Sequence, residues 1–423
     1  YYFYQSDALN TNTYFNKVRG LPKDEFLQRQ PGVRVGGPVV LPGIYDGRGK
    51  AFFFVNYEEN RTPRTITTNS NFLTPQAHAG IFRYDVGGGV IREVNLYSLA
   101  LANGQTSTPD PTVASLLNDI LGTTSQGVVT PLAGNFTAQR LSFQQKAAGL
   151  TRYPTIRGDY NLSTRHRLSG SWNYNDVVAR PDTTNTRQAT FPGFPNTSAQ
   201  ISDRYTFQTT LRSTLSSNMV NEVRYGMSGG ATQFSPDLSA EMWRGAVANT
   251  NGYQLGISAA GITNAGSGPG VSAREASTKF VEDNLTWLKG AHSITSGFNY
   301  TAVDVWLLTQ TRVPSVNFGI VTGDPALSMF STTTMPGSSA AQRTAAQNLY
   351  AVLTGRVSSI SGTARLDAAT GQYVYNGDSR QEGRLQQLDF FVQDQWKVRP
   401  NLSVNVGVRY AIQLPFFSKN DSY

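Results

Sequence analysis

The stretch from Leu402 to Leu414 alternates between apolar residues and polar or small residues at every position. Such alternation is typical of a β-strand, because successive side chains point to opposite faces. A strand tilted across a bilayer needs about 9–11 residues, whereas the usual soluble strand has about five or six. The stretch therefore predicts one long strand that crosses a membrane. Its apolar face consists of Leu402, Val404, Val406, Val408, Tyr410, Ile412 and Leu414.

The same alternation recurs along the chain, mostly in pairs separated by a turn. It predicts about eleven strands and an all-β fold. Helical spacing of apolar residues appears only at Pro111–Leu121 and Ala340–Leu353, and we expect these to be surface helices that cap loops. The predicted strands are Tyr1–Ser6, Val33–Leu41, Ala51–Glu58, Tyr153–Leu162, His166–Asp176, Ile201–Arg212, Met219–Met227, Lys279–Leu288, His292–Leu307, Leu385–Trp396 and Leu402–Leu414.

The connections between these strands alternate in length, which is evidence independent of the strand pattern. Long connections on one edge and short ones on the other are typical of an outer-membrane barrel, with short periplasmic turns and long extracellular loops. The sequence therefore predicts an antiparallel transmembrane β-barrel. The short connections are 42–50, 163–165, 213–218, 289–291 and 397–401, and the long ones are 7–32, 59–152, 177–200, 228–278 and 308–384.

The two faces of the strands predict two environments. The apolar face is expected to meet lipid, with aromatic residues in an interfacial girdle, and the polar face to border a wet lumen. Core packing in a soluble sandwich, with the polar face in bulk water, is the alternative. The lipid-facing or girdle set is Trp172, Tyr174, Tyr205, Phe207, Tyr225, Trp287, Phe298, Tyr300, Trp396, Val404, Val406, Val408 and Tyr410. The lumen-facing set is Arg167, Asn173, Arg204, Gln208, Arg224, Asn299, Asn405 and Arg409.

Composition narrows the class of protein further. Hydrophobic residues make up 39% of the chain, which suits strands with one apolar face. The sequence contains no run of about 18 apolar residues, so it predicts no membrane-spanning helix. The net charge is +8, but the basic residues are dispersed, so we expect no nucleic-acid partner and contact instead with outer-membrane lipid.

The residue types that carry catalysis or bind metals form no pattern. Cysteine is absent, and the three histidines, His78, His166 and His292, have no metal-ligand spacing. Glu58 and Glu59 are adjacent and so point to opposite faces of a strand. HExxH, GxSxG and Walker A motifs are missing. We therefore predict no catalytic residues, no cofactor, no metal site and no enzymatic activity.

Three segments carry a resemblance to a known family. Phe390–Val398 followed by Pro400–Tyr410 resembles the barrel hairpin of TonB-dependent outer-membrane receptors, in particular the Oar-like group. Val35–Val39 followed by Lys50–Glu58 is similar to the "GGP…FFF…YE" region that follows the plug in that group. Arg157–Asn161 with His166–Gly170 is similar to another of its hairpins. The segments occur in family order and span almost the whole chain.

The resemblance implies a roughly 22-stranded barrel with a plugged lumen, of which residues 1–423 form part. It further implies that a TonB-type protein energises uptake of an extracellular substrate across the bacterial outer membrane. The plug, the TonB box and the N-terminal carboxypeptidase-regulatory-like domain of such receptors are not found in these residues. We expect the sequence to be a fragment that starts after the plug and stops near mid-barrel. No individual functional residue is carried over, because the TonB-contact motif is absent.

Two other functions remain open at this point. The same strands and loops suit an outer-membrane adhesin or structural barrel without transport. A soluble all-β carbohydrate-binding or hydrolytic domain is the third hypothesis, although paired acidic residues are not evident.

About eleven strands leave two open sheet edges, which lipid does not tolerate. We therefore expect the isolated 423-residue chain to form no stable channel. Planar-bilayer recording tests this, and a defined single-channel conductance would contradict it.

Overall fold

The computed structural model describes residues 1–182, 189–194, 199–235, 252–266, 270–367 and 370–419. Strands predominate in it, as the alternating pattern predicts. In chain order they are β1 (Tyr2–Ser6), β2 (Leu27–Pro38), β3 (Val40–Leu41), β4 (Tyr45–Asp46), β5 (Ala51–Leu73), β6 (Ile81–Asp85), β7 (Ile91–Asn95), β8 (Val128–Pro131), β9 (Ala138–Arg152), β10 (Thr155–Asn161), β11 (His166–Arg180), β12 (Gln200–Ser216), β13 (Met219–Gly229), β14 (Thr232–Phe234), β15 (Gln254–Gly256), β16 (Ser272–Lys289), β17 (His292–Thr309), β18 (Ser315–Phe318), β19 (Val357–Ser361), β20 (Ala364–Leu366), β21 (Tyr373–Tyr375), β22 (Ser379–Arg399), β23 (Leu402–Gln413) and β24 (Phe417–Ser418).

Helices lie between the strands, and their first turns show why they begin where they do. Asp110 caps one helix by accepting a hydrogen bond from the backbone N–H of Val113. Ser339 and Gln342 form a reciprocal capping box at another. The α-helices are α1 (Tyr14–Val18), α2 (Pro75–His78), α3 (Leu96–Ala102), α4 (Pro111–Gly122) and α5 (Ala340–Leu353), and 3₁₀ turns occur at Asp7–Leu9, Thr123–Gln126, Ile257–Ala260 and Pro325–Met329.

One large antiparallel sheet organises the molecule. Its strands lie side by side in chain order, β1-β2-β5-β10-β11-β12-β13-β16-β17-β22-β23. β9 and β10 form one strand that is interrupted at Tyr153 and Pro154, because β9 and β10 each pair with β5 and β11 in the same register. This confirms the predicted all-β, antiparallel fold with about eleven strands. Within the described residues β1 pairs only with β2, and β23 only with β22.

The links between neighbouring strands alternate in length as predicted. The short links lie at one edge of the sheet and the long links at the other. The short links are 39–50, 162–165, 217–218, 290–291 and 400–401, and the long links are 7–26, 74–137, 181–199, 230–271 and 310–378. Because neighbouring strands are antiparallel and follow one another in the sequence, successive links lie alternately at the two edges of the sheet.

Several strands run farther toward the long links than the sequence predicts. β5 continues from the predicted end at Glu58 to Leu73, and β16 begins at Ser272 rather than Lys279. Along β17 the two faces lose their difference in character. Ile294, Phe298 and Tyr300 make one face apolar near the short link, and farther up that face carries Asp304 together with Trp306 and Leu308. The other face changes from polar to apolar over the same distance, at Val303, Val305 and Leu307.

The hydrophobic core lies among the long links rather than inside the sheet. Residues of the second to fifth long links pack on the far ends of β5 and β9 in a single buried cluster, which we call the link core. It includes Phe72, Leu96, Leu116, Leu117, Ile120, Leu141, Phe143, Phe191, Ile257, Phe318, Met329, Met335, Leu349 and Tyr350. Backbone hydrogen bonds join the links as well, for example from Asp110 N–H to the Leu353 carbonyl at 2.9 Å.

The expectation of surface helices that cap loops is wrong for α4 and α5. α4 buries Val113, Leu116, Leu117 and Ile120, and α5 buries every residue from Leu349 to Leu353. The helical spacing was correct, but the partners of these apolar faces come from other links. Among the described residues, no helix combines the length and the apolar character needed to span a membrane.

We predict that Leu349→Ala destabilises the link core by about 2–5 kcal/mol, because the side chain is fully buried and its removal leaves a cavity. Hydrogen exchange should quicken in both 74–137 and 310–378, since both contribute to one core. Leu101→Ala, at a residue of α3 that is 70% exposed, is the matched control. Faster exchange confined to 310–378 would contradict a shared core.

Candidate functional site

The register of the sheet sorts the predicted site residues into two sets on opposite faces. Residues directly opposite one another in an antiparallel pair share a face. Trp172 lies opposite Phe207, and Phe298 lies opposite Phe390, which in turn lies opposite Tyr410. Followed across the sheet in this way, all thirteen residues of the predicted lipid set share one face, which we call the apolar face.

The eight residues of the predicted lumen set share the opposite face, called here the polar face. Arg224 lies opposite Glu282, Glu282 opposite Asn299, and Asn299 opposite Asp389. One row of polar side chains therefore crosses several strands at the same level. Asn173, Arg204 and Asn405 lie on this face at other levels.

The apolar face is unusually exposed for a protein surface. Val406, Val408 and Tyr410 are 66%, 70% and 64% exposed. Leu168, Phe390 and Val392 are exposed on the same face. A contiguous apolar surface of this extent indicates contact with a partner or a membrane rather than water.

The height of the apolar face matches a bilayer. On β17 this face carries no acidic or basic residue other than His292 between His292 and Tyr300, although the neighbouring strands place Asp283 opposite Phe298 and Asp394 opposite Ile294. Nine residues of strand at about 3.3 Å each, tilted by about 40°, rise about 23 Å, close to the apolar band of about 25 Å in outer-membrane barrels. The charged residues above this level begin the part of the wall that carries the link core.

Aromatic contacts reinforce the apolar face at several heights. The Trp172 and Tyr174 rings stack at 5.7 Å, and the Phe207 and Tyr225 rings meet edge to face at 6.4 Å. Near the short links, the His292 ring stacks on Trp396 at 5.4 Å. Such pairs fix ring orientation on a surface that has few other partners.

Ion pairs hold the arginines of the polar face in place. Asp159 accepts hydrogen bonds from Arg157 at 2.8 Å, from Arg167 at 2.8 Å and from Ser169 at 2.9 Å. Arg224 pairs with Glu222 and lies 3.8 Å from Glu282. These exposed pairs contribute little stability individually, so their main effect is to orient charged groups.

A second cluster on the polar face surrounds Asp389, a carboxylate that is only 6% exposed. It accepts hydrogen bonds from Arg409 at 3.0 Å and from Gln387 at 2.9 Å. Asn299 accepts a hydrogen bond from Thr301 at 2.8 Å beside it. Together these groups line an open cavity of about 730 Å³. Gln208 and Arg224 line a neighbouring cavity of about 360 Å³.

The acidic partners were not among the predicted site residues. Asp159, Glu222, Glu282 and Asp389 all lie on the polar face with the predicted arginines. The two-residue alternation within each strand already placed them on that face. Their pairing across strands depends on register, which the alternation alone does not fix.

An ion pair within the fifth long link also makes a hydrogen bond to the second. The Arg356 guanidinium donates to both Asp324 carboxylate oxygens, at 2.6 and 2.5 Å, and to the Gln105 side-chain oxygen at 3.3 Å. This bidentate contact lowers the pKa of Asp324, although burial alone would raise it. The backbone N–H of Ala326 also donates to this carboxylate and lowers the pKa further. The hydrogen bond from Arg356 to Gln105 therefore ties the second long link to the fifth.

Candidate metal ligands do not cluster in the described residues. Across the part of the chain that the structure describes, no group of three His, Cys, Asp or Glu side chains could hold a metal ion. The geometry instead offers a polar wall, an apolar face of bilayer height and a packed set of long links.

Comparison with known proteins places this architecture in a family. The family model described as "Outer membrane beta barrel domain" matches residues 1–423. No protein of curated function matches the sequence. Among solved structures, the outer membrane transporter YddB from Escherichia coli is similar, with 10% identity, a TM-score of 0.42, and coverage of 97% of this chain and 38% of that one.

The open form of the ferric-catecholate import receptor Fiu from E. coli K12 has 13% identity and a TM-score of 0.35, with coverage of 92% of this chain and 46% of that one. Its closed form has 12% identity and a TM-score of 0.33, covering 92% and 43%. The chain spans less than half the length of each of these three structures. The assignment therefore depends on the family model and on the sheet itself.

We predict that the Asp324–Arg356 pair makes the link core sensitive to acid. The pKa of Asp324 is lower in the folded state than its value of about 4 in the unfolded state. The ion pair therefore stabilises the link core above the unfolded-state pKa, and this stabilisation is lost as pH falls through the folded-state pKa. Hydrogen exchange in 310–378 should therefore quicken below about pH 4.

Asp324→Asn should remove this part of the pH dependence while exchange at neutral pH becomes faster. Arg356→Gln should give the same profile, because it removes the other half of the pair. An unchanged acid response in both variants would show that other carboxylates control it.

An eleven-stranded antiparallel sheet with one exposed apolar face, one polar face and sorted links agrees with the family match over the whole sequence, and the chain belongs to the outer membrane β-barrel domain family of the bacterial outer membrane.

Proposed function

We propose that the protein is a receptor and transporter of the outer membrane, in which the apolar face lies against lipid and the polar face borders the lumen. The single observation that supports this most is the opposition of the two faces across the sheet. In an outer-membrane barrel the apolar side chains of each strand face lipid and the polar side chains face the water-filled lumen. The role is binding and passage, without a chemical step.

The long links form the outer part of the proposed binding site. They lie at the extracellular edge by the loop rule for such barrels. Their shared core holds them as one body above the wall, so a substrate meets a preformed surface rather than separate flexible loops. Beneath this body, Asp389, Arg409 and Arg224 present charged groups to a polar substrate on its way through the lumen.

Energised passage is the finer part of the proposal. A TonB-type protein drives uptake in the receptors that Phe390–Tyr410 and Val35–Glu58 resemble, in particular the Oar-like group. We propose the same coupling here, through a plug and a TonB box in the full reading frame, with residues 1–423 as part of the barrel domain. The substrate is extracellular and polar enough to meet the charged wall.

An adhesin or structural barrel without transport is the alternative within the same family. It needs the apolar face and the long links but has no use for a charged inner wall with open cavities of about 730 and 360 Å³. The cavities therefore favour passage. The soluble carbohydrate-binding hypothesis does not agree with the outer-membrane family.

The test compares strains of the native bacterium on a panel of nutrients supplied as metal chelates, oligosaccharides or peptides. Deletion of the gene should impair growth on one class, and deletion of the energy-coupling protein should impair growth on the same class. Loss of surface attachment with no defect in uptake would favour an adhesin and contradict transport.

Within the responsive class, a double substitution of Arg224→Ala and Arg409→Ala should weaken uptake about tenfold or more, as expected for loss of charged hydrogen bonds to a substrate. Arg29→Gln is the matched control, because this exposed arginine lies on the other face of the same sheet. Equal uptake by the two variants would exclude the polar wall from the substrate path.

A further inference from the structure

The short-link end of the sheet carries a marked excess of positive charge. Seven exposed basic residues lie in or within three positions of the short links, six of them apart from Arg167, and Asp46 is the single acidic residue inside those links. Asp159 and Arg167 also lie within three positions, but they pair with each other at 2.8 Å on the polar face. We call the six residues the basic rim: Arg48, Lys50, Arg165, Lys289, Lys397 and Arg399.

Ion pairs within the described residues leave most of this charge unneutralised. Arg48 lies 3.7 Å from Asp46, but in the described part of the chain no ion pair joins any other rim residue to an acidic side chain. Six basic residues and one acid leave a net charge of +5 at this end. An uncompensated positive rim favours an anionic partner.

Two rim lysines lie beside the apolar face. The ammonium of Lys289 is 4.9 Å from the centroid of the Trp287 ring, and that of Lys50 is 5.7 Å from the Tyr160 ring. Trp287 belongs to the apolar face, and so does Tyr160, which lies opposite Leu168. The rim charge therefore begins where the aromatic girdle ends, at the edge of the proposed lipid contact.

We propose that the basic rim binds the phosphate groups of anionic phospholipids in the periplasmic leaflet of the outer membrane. In this proposal the acyl chains lie against Trp287 and Tyr160, and the ammonium held beside each ring meets the headgroup phosphate. Exposed Leu162 and Leu402 at the same end extend the apolar contact. The short links face the periplasm by the loop rule, so the leaflet concerned is the inner one.

Lipid fits these observations better than an acidic periplasmic protein. A protein docked beneath the barrel would meet the tips of the links, whereas Lys50 and Lys289 lie against rings on the side of the sheet. Both rings belong to the apolar face, as expected for aromatic residues at a membrane boundary.

The test uses full-length protein purified from outer membranes and reconstituted in vesicles of phosphatidylethanolamine with phosphatidylglycerol. Native mass spectrometry after brief detergent extraction identifies the lipids that remain bound. We expect enrichment of phosphatidylglycerol over its share of the vesicle, and a decrease of that enrichment at high salt. Retention of the two lipids in proportion to the vesicle would overturn the proposal.

The rim variant combines Lys50→Gln, Lys289→Gln and Arg399→Gln. Each neutralised charge should lower the preference for the anionic lipid by about fivefold. The matched control combines Lys17→Gln, Arg29→Gln and Lys146→Gln, three exposed basic residues away from the short links, and should keep the preference.

Folding of both variants is checked by the mobility of unboiled protein on gels. A folded rim variant with unchanged enrichment would overturn the proposal, and loss of binding to an acidic periplasmic protein in that variant would assign the rim to that partner instead. An equal loss in the rim and control variants would attribute the preference to net charge alone and would likewise overturn it.

Discussion

The structure depends on the requirement that backbone N–H and C=O groups find partners where water is absent. In lipid only helices and laterally paired strands satisfy it. Eleven strands paired in sequence order supply such a ladder over the length of the sheet. The same ladder fixes which side chains share a face, so the pairing that satisfies the backbone also separates the apolar face from the polar face.

Along β17 the difference between the two faces ends above Tyr300. Up to Tyr300 the large apolar residues point to one side, whereas farther up they point to both, with Trp306 and Leu308 on the first side and Val303 and Leu307 on the second. Above this level, the far ends of β5 and β9 add Phe72, Leu141 and Phe143 to the link core. The wall therefore has an exposed apolar face in its lower part, and at β5 and β9 its upper part packs against the long links.

The sequence was most informative where structure is set by neighbours along the chain. Strand number, the alternation of link lengths and the face of residues such as Arg224 and Tyr300 follow from a two-residue period and from turn residues. The far ends of β5 and β16 were missed, because Glu59–Thr65 and Ser272–Thr278 are mostly polar and show no alternation. The link core was missed as well, since Phe72, Leu116 and Leu349 meet only through tertiary packing. Likewise, the contact of Arg409 with Asp389 requires the register of β22 and β23.

Labelling of single cysteines tests the central claim most directly, because residues 1–423 contain no cysteine. Nitroxide labels at Val406 and Asn405, adjacent residues on opposite faces of β23, are compared in full-length protein reconstituted in lipid vesicles. The label at Val406 should be relaxed by lipid-soluble oxygen and the label at Asn405 by a water-soluble nickel complex. Equal access of the nickel complex to both positions would show that water borders both faces and would contradict a membrane-facing sheet.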